Sequence, residues 1–300
     1  MFTRKTGLVI PTRNRPKELY STLEFLSKKK IKFFKTIVVD SSDKNIRKEI
    51  VHICNKFAAK LFFSNPSTSK QRNIGLKKLI KNKLEFIMFL DDDLKFYKNS
   101  FNIMNSHIKK YKYKYSGFSF SNTSLQKKTL LEKVKLSSYI EKVGLYSSDK
   151  GKVLNNGWQT KIYNLKTNLQ SQWLPTACAI FKRNFLKEKY FDESFGTYSY
   201  LEDLDFSLQI NPQRKSIFLV VANAKFVHLK DIIRTSFSFG YYEFFNRYKI
   251  VKKFNLNKIS FFFMAFSKLI FTTFSILFNY KNVFKLLGNI SAVIVCILFN

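Results

Sequence analysis

A chain of 300 residues is long enough for one large domain, or for a domain with an appended tail. Hydrophobic residues make up 45% of it, which supports a packed core and excludes a wholly disordered chain. The formal charge of +33 points toward anionic partners such as nucleic acid or a membrane. The lysines are spread along the chain rather than gathered in one block, so solvated faces with some membrane attraction account for it.

The first hundred residues alternate short apolar runs with helical patterns. Gly7–Pro11 reads as a strand, followed by Asn14 as a cap, Pro16 in a first turn, and Leu19, Leu23 and Leu26 at helical spacing. Lys35–Asp40 (KTIVVD) is a second buried-strand run. Ile46, Ile50, Ile53 and Phe57 then share one helical face. Leu61–Phe63 is a third strand, and Ser69 caps a predicted helix reaching about residue 81. Phe86–Leu90 (FIMFL) is a fourth strand, and three carboxylates follow it directly. This order predicts a mostly parallel sheet with helices on both faces. Ligands of such sheets bind at the carboxyl ends of the strands, so residues 12–15, 40–43 and 91–93 are expected to line one crevice. Residues 121–172 are polar and weakly patterned and read as an irregular, acceptor-side excursion. A strand is expected over Leu174–Phe181, a helix over Tyr200–Ile210, a strand over Ser216–Val227 and an aromatic-rich helix over Arg234–Lys253. Cys54, Cys178 and Cys296 lie far apart without metal spacing and read as free thiols of a reducing compartment. The apolar run in MFTRKTGLVIPT is too short for a signal peptide, so the catalytic part is expected in the cytoplasm.

The sharpest chemical signal is FLDDDL, with Asp91, Asp92 and Asp93. Three adjacent carboxylates repel one another unless a cation offsets them. Mg²⁺ and Mn²⁺ take oxygen ligands and share them with substrate phosphates. The second signal is YLEDLDF. On a helix Glu202 and Asp205 share a face at three-residue spacing, whereas Asp203 points elsewhere. Three acids in a first helical turn also favour the macrodipole, so the motif has a purely structural alternative.

The ordered set VIPTRNRP, VVDSSD, KQRNIG, FLDDDL, TACAIFKR and YLEDLDF resembles family 2 glycosyltransferases of the GT-A fold over roughly residues 7–230. The resemblance implies an enzyme of Rossmann-like α/β fold, an inverting transfer, a divalent metal (Mn or Mg) as cofactor and a nucleotide-diphosphate sugar as donor. It implies that Pro11, Thr12 and Arg15 touch the nucleotide, that Asp40 reads the base edge and that Arg72 contacts base or phosphate. Asp91 and Asp93 match the outer acids of the DxD motif around Asp92, with Asp91 nearer the ribose and Asp93 nearer the metal. The ED pair matches Glu202–Asp203, and Asp203 is the expected base. His228 stands where some relatives place a metal-binding histidine. Trp173 resembles an aromatic that stacks on the acceptor sugar, with core packing as the alternative.

The domain expectation is a GT-A catalytic domain over 1–230, with a nucleotide-binding half at 1–115 and an acceptor half at 116–230. Residues 231–300 then form an aromatic and apolar helical tail that associates with a membrane. Within it, Tyr241–Lys253 places Arg247 among aromatics, where it could set a cation over the departing diphosphate; the preferred reading is a lipid-facing amphipathic helix with snorkelling basic residues. Ile259–Phe278 is very apolar, yet Ser260, Ser267, Lys268, Thr272, Ser275 and Asn279 fall on one face. That stripe suits a helix lying in the membrane interface better than one crossing it. Residues 283–299 reach the lower length limit for a span. A core helix pair without a membrane is the alternative.

These readings combine into a glycosyltransferase at the cytoplasmic face of the cell membrane, acting on a glycan or lipid-linked acceptor in cell-surface polysaccharide or glycan synthesis. No nucleic acid partner is expected. A sugar nucleotidyltransferase would want a Gly-rich phosphate loop, and TRNRP has no Gly. A basic nucleic-acid-binding protein or a non-catalytic membrane scaffold would leave FLDDDL and YLEDLDF unexplained.

Overall fold

A computed structural model describes residues 1–124, 141, 146–197, 199–229 and 234–298. Two compact units emerge, one from Met1–Ser124 with Ile162–Lys230 and one from Leu125–Lys161 with Asp231–Asn300.

The first unit is built on a nine-stranded sheet. Its strands are β1 (Thr6–Thr12), β2 (Lys35–Asp40), β3 (Lys60–Phe63), β4 (Phe86–Leu90), β5 (Leu94–Phe96), β6 (Gly117–Asn122), β7 (Leu169–Ser171), β8 (Cys178–Lys182) and β9 (Phe218–His228). The order is β3-β2-β1-β4-β8-β6-β9-β5, with β7 also on β9. β3, β2, β1 and β4 pair in parallel, as do β6 and β9. β8 runs antiparallel to both of its neighbours. Every residue of β1 is buried, as expected of a central strand covered on both faces.

Alternation along the strands sends Leu8, Ile10, Val38, Met88 and Leu90 into one core. α1 (Pro16–Lys28), α2 (Lys44–Lys56) and α4 (Ser100–Tyr111) close over that face with Leu19, Ile50 and Met104. On the other face Phe89 meets Phe206 of α5 (Glu202–Ile210) and Phe191 edge to ring, and Phe191 stacks on Phe206 at 4.0 Å. α3 (Thr68–Leu79) buries Leu76 and Leu79.

Several local expectations shift. Arg15, not Asn14, occupies the N-cap of α1, with Pro16 in the first turn. Asn14 adopts φ 53° and pairs instead with the loop after β2. Ser67 rather than Ser69 caps α3, its Oγ accepting from the Lys70 N–H. The strand expected from Leu174 begins only at Cys178, because the Leu174 N–H turns to the Ser207 Oγ. Within 121–172, Leu169–Ser171 forms a short strand and Val153 bridges Gln159. Residues 125–140 and 142–145 of that segment lie outside the described residues.

The second unit carries α6 (Phe237–Lys253), α7 (Lys258–Ile276) and α8 (Asn282–Leu298). Ser236 and Asn257 cap α6 and α7 through their side chains. Its core holds Trp158, Phe244, Phe261, Val293 and Cys296. Arg247 does not face outward: it is 2% exposed, lies 4.4 Å from the Trp158 ring centre and donates to the Gly157 carbonyl and the Gln159 amide oxygen. Lys268 also turns inward. Its Nζ lies 2.5 Å from Glu243 Oε1, and Lys285 Nζ lies 2.9 Å from the other oxygen. Burial works against ionisation of Glu243, but the two ammonium groups outweigh it and hold the carboxyl well below its usual range. The polar stripe seen along α7 is thus turned toward a buried acid on α6.

α6 and α8 cross in backbone contact at two glycines. A Cβ on Gly240 would lie 2.1 Å from the Lys285 carbonyl oxygen, and one on Gly288 would lie 2.1 Å from that of Phe237. The Asn289 amide donates to the Gly240 carbonyl at 2.8 Å beside this crossing. Gly288→Val is expected to force the helices apart and destabilise the chain by about 1–3 kcal/mol, the usual cost of overpacking. Thermal unfolding of the two proteins in the same detergent checks this, and an unchanged midpoint would mean the crossing is not tight.

Candidate functional site

The carboxyl ends of β1, β2 and β4 form one sheet edge, with Thr12 in register with Asp40. Gln71 of α3 holds this edge together by donating to the carbonyls of Thr12 and Val39, both at 2.8 Å. The Asn14 N–H donates to Ser42 Oγ, and the Asn14 side chain pairs with Asp43 in both directions. The loops after β1 and β2 are therefore locked to each other.

Asp40 lies fully buried in this edge. Its Oδ1 accepts from the Ser42 N–H at 3.0 Å and Ser42 Oγ at 2.5 Å. Its Oδ2 is buried with no hydrogen-bond partner. Leaving a buried carboxylate oxygen unpaired is costly. Pro11 is buried in β1 beside Val39.

The three acids after β4 diverge. Asp92 is 3% exposed; its Oδ2 accepts from Thr12 Oγ1 at 2.6 Å and its backbone carbonyl from Thr22 Oγ1 at 2.8 Å. Burial pushes its carboxyl up to about 7, with Thr12 and Arg15 pulling the other way. Asp93 lies 2.9 Å from Arg15 NH1 through Oδ2 and 3.5 Å from His228 Nδ1 through Oδ1. Burial opposes its ionisation, but His228 and Arg15 prevail and hold the carboxyl below the usual range. His228, at the end of β9, is brought there by pairing of β5 with β9, in which Leu94 faces His228. Burial lowers its basicity, and the neighbouring Asp93 and Asp91 more than restore it.

Asp91 turns the opposite way. Arg72 NH2 donates to its Oδ1 at 2.8 Å, while Arg72 NH1 donates to Glu202 Oε1. Arg72 is 2% exposed and stands over the Phe191 ring. The two acids outweigh burial and raise its basicity. Burial raises the Glu202 carboxyl above its usual range, with Arg72 opposing and Asp203 adding to it. One guanidinium thus ties the loop after β4 to the start of α5.

α5 begins after two residues with positive φ, Ser199 at 50° and Leu201 at 73°. Such backbone is uncommon outside Gly and persists where its surroundings fix it. Here Ser199 Oγ accepts from the Ser69 N–H and donates to the Gly196 carbonyl. Asn73 donates to the Phe191 carbonyl and to Glu193, and accepts from the Phe191 N–H. Asp203 is half-buried and accepts from the Leu204 N–H at 2.8 Å. Asp205 is fully buried with Gln209 on its Oδ2. Of the three acids in this turn, Asp203 is therefore neither held by Arg72 nor sealed in the core.

Among the described residues no three His, Cys, Asp or Glu side chains form a ready cation cage. Arg15 and Arg72 offset the acids instead. The donor types nonetheless suit a divalent ion, since the Asp93 carboxylate and the His228 imidazole stand side by side. Trp173 is 2% exposed. A sugar stacks only on an exposed ring face, so in this arrangement the indole packs the wall instead. Gln71, Asn73 and Ser199 carry the site's framework, although the sequence motifs assign none of them a role. The signal for Gln71 and Asn73 is the polar run SKQRN at positions where a helix should bury apolar residues; Ser199 has none.

The chain matches the model of "Glycosyl transferase family 2" over residues 8–188. It is 30% identical over 149 residues to an uncharacterized glycosyltransferase of Rickettsia felis, covering 48% of this chain and 23% of that protein. The chain thus spans about a quarter of the length of the curated relative it matches. Similar solved structures include Staphylococcus aureus TarS 1–349, with TM-score 0.52 and 17% identity, covering 88% of this chain and 72% of that one. The same protein in complex with UDP-GlcNAc matches at TM-score 0.52 and 16% identity, with coverages of 88% and 73%. GalNAc-T7 with UDP, GalNAc and Mn²⁺ matches at TM-score 0.54 and 15% identity, covering 76% of this chain and 43% of that one. At such identities these structures share the fold.

Proposed function

We propose that this chain, which belongs to glycosyl transferase family 2, moves a sugar from a nucleotide-diphosphate sugar to an acceptor hydroxyl with inversion. It is a glycosyltransferase of GT-A-like fold; the donor, metal, acceptor and site roles are our reading. The observation that carries it is the ion-paired chain Asp91–Arg72–Glu202, which holds Asp91, directly after β4, against the helix that bears Asp203. Further support comes from the unpaired buried oxygen of Asp40, which suits a nucleobase N–H, and from structural neighbours solved with UDP or UDP-GlcNAc.

In this reading Pro11, Thr12, Arg15, Asp40, Arg72, Asp91 and Asp92 form the donor side, and Trp173 backs the acceptor side from within the core. Asp93 and His228, which stand side by side, would hold Mn²⁺ or Mg²⁺, which when bound offsets the charge on the diphosphate as it departs; Asp91, expected as a further ligand, turns to Arg72 instead. Asp203 takes the proton of the acceptor hydroxyl while the hydroxyl oxygen bonds to the anomeric carbon. The bond from that carbon to the diphosphate oxygen breaks, and its electron pair leaves with the nucleoside diphosphate. Attack opposite the leaving group inverts the anomeric centre. Glu202, held by Arg72, orients the turn that presents Asp203.

The acceptor in this reading is a glycan or a lipid-linked saccharide at the cytoplasmic face of a membrane, as in cell-surface polysaccharide synthesis. α7 is long and apolar enough to cross a bilayer, with a mean hydropathy of 1.7. The test is a screen for nucleoside-diphosphate release across several nucleotide sugars with Mn²⁺ or Mg²⁺, with the product's anomeric configuration read by NMR. Release with none of them, or retention of configuration, rejects the proposal.

The metal assignment has its own check. Asp93→Ala is expected to abolish the Mn²⁺-dependent part of nucleoside-diphosphate affinity and leave the metal-free part in place. Calorimetry with and without Mn²⁺ measures both. Identical metal dependence in the variant and the parent would remove Asp93 from the ligand set.

A further inference from the structure

The helical unit α6–α8 buries charge beside its apolar core and turns further apolar side chains outward. Its interior holds the Glu243–Lys268–Lys285 ion cluster and the Asn289 to Gly240 hydrogen bond. Its exterior along α7 and α8 is apolar: Phe263 is 63% exposed, Ile270 58%, Phe274 57%, Leu287 49%, Ile294 52% and Ile297 53%. With Phe266 and Ile290, also exposed, these positions recur every three or four residues along each helix, so each presents one continuous outward stripe. Water-soluble helices place charge outside and Leu, Ile and Phe inside. Small residues in backbone contact and polar groups bonded between helices are the packing devices of helices surrounded by lipid.

Only one side of the unit is built this way. On its other side α6 packs against the turn around Trp158, where Arg247 bonds the Gly157 carbonyl. That irregular segment carries Lys150, Asn155 and Asn156. Irregular backbone is not tolerated against hydrocarbon. Lys252, Lys253, Lys258 and Lys281 are exposed at the ends of the three helices, where basic groups meet anionic headgroups.

We propose that the outward face of α7 and α8 lies flat in one leaflet of an anionic bilayer, with neither helix crossing it. This rests on the membrane-surface reading above and specifies which face enters the membrane and how deep. The inward ion cluster explains why a lysine in the middle of α7 does not forbid it: Lys268 meets Glu243, not lipid.

The test uses the full chain added from outside to vesicles of phosphatidylcholine, with or without phosphatidylglycerol, and read by flotation. The parent is expected to float, more strongly with phosphatidylglycerol. Ile270→Glu combined with Ile294→Glu changes only exposed positions and is expected to reduce the floated fraction roughly tenfold. Nucleoside-diphosphate binding and the circular dichroism spectrum should not change, which separates loss of docking from loss of fold. A cysteine at Lys281→Cys, in the turn between α7 and α8, is expected to react with a membrane-impermeant maleimide added outside; the native cysteines are buried. Reaction only after the vesicles are opened would mean that the helices span, and overturns the proposal. So does a double variant that floats like the parent. Loss of a stable dimer with no change in flotation would assign the face to a second copy of the chain. If the parent fails to float on either vesicle, the membrane reading fails with this proposal, while the glycosyltransferase reading stands.

Discussion

Asp203→Asn is expected to lower turnover by about 10²–10⁴-fold, the range a positioned general base contributes, while donor affinity stays nearly constant. The change keeps the size of the side chain and its ability to accept from the Leu204 N–H, so α5 should start as before. What it removes is basicity toward the acceptor hydroxyl, which is needed only in the transition state. The loss therefore belongs in kcat and in kcat/KM alike, with little change in the donor's Kd. Glu202→Gln should behave differently: it weakens the ion pair to Arg72, so it disturbs the alignment of the turn and lowers stability as well as rate. Steady-state kinetics and nucleoside-diphosphate titration of both variants separate the roles. Near-normal turnover in Asp203→Asn would transfer the base to another group.

Arg72→Met should be the most destabilising single change in the catalytic unit. The guanidinium is 2% exposed and serves two carboxylates. Removing it leaves Asp91 and Glu202 without their shared cation, and breaking a buried pair in this way costs about 3–5 kcal/mol. The loss should depend on pH in a defined direction. Burial already raises the Glu202 carboxyl against the pull of Arg72, and losing the guanidinium raises it further above the unfolded value, so the unfolded chain binds fewer protons and stability falls as pH rises. Urea unfolding should thus show a large gap from the parent at pH 8 that narrows toward pH 5, where protonation relieves Glu202. Arg72→Lys should recover only part of the gap, because an ammonium cannot fork between two partners as a guanidinium does. Equal midpoints for Arg72→Met and the parent at pH 8 would show that the ion-paired chain contributes nothing.

Much of the fold is legible in the chain because its determinants are local. KTIVVD and FIMFL are short apolar runs bounded by polar residues, and they form β2 and β4. Leu19, Leu23 and Leu26 repeat at helical spacing and are buried on α1. Acids placed directly after such a strand must emerge at its carboxyl end, so the gathering of Thr12, Asp40 and Asp91–Asp93 on one sheet edge follows from topology. Helix caps were less legible, because Asn14 and Ser69 are reasonable caps by residue type and only the surrounding loops select Arg15 and Ser67.

The partners of charged residues were not legible. Arg72 and Glu202 are 130 positions apart, and either could have been solvated, bound to substrate or paired. Periodicity along α7 identified which residues share a face with Lys268, but it carries no information about what that face meets. Water, headgroups or a buried acid each satisfy the same spacing. Only packing against α6 decides it, by bringing Glu243 to Lys268 and Lys285 and leaving the apolar stripe outside. A repeat along the chain fixes direction within one helix, whereas the sign of a face depends on which other helix can approach it; Gly240 against Lys285 and Gly288 against Phe237 let α6 and α8 meet at the backbone.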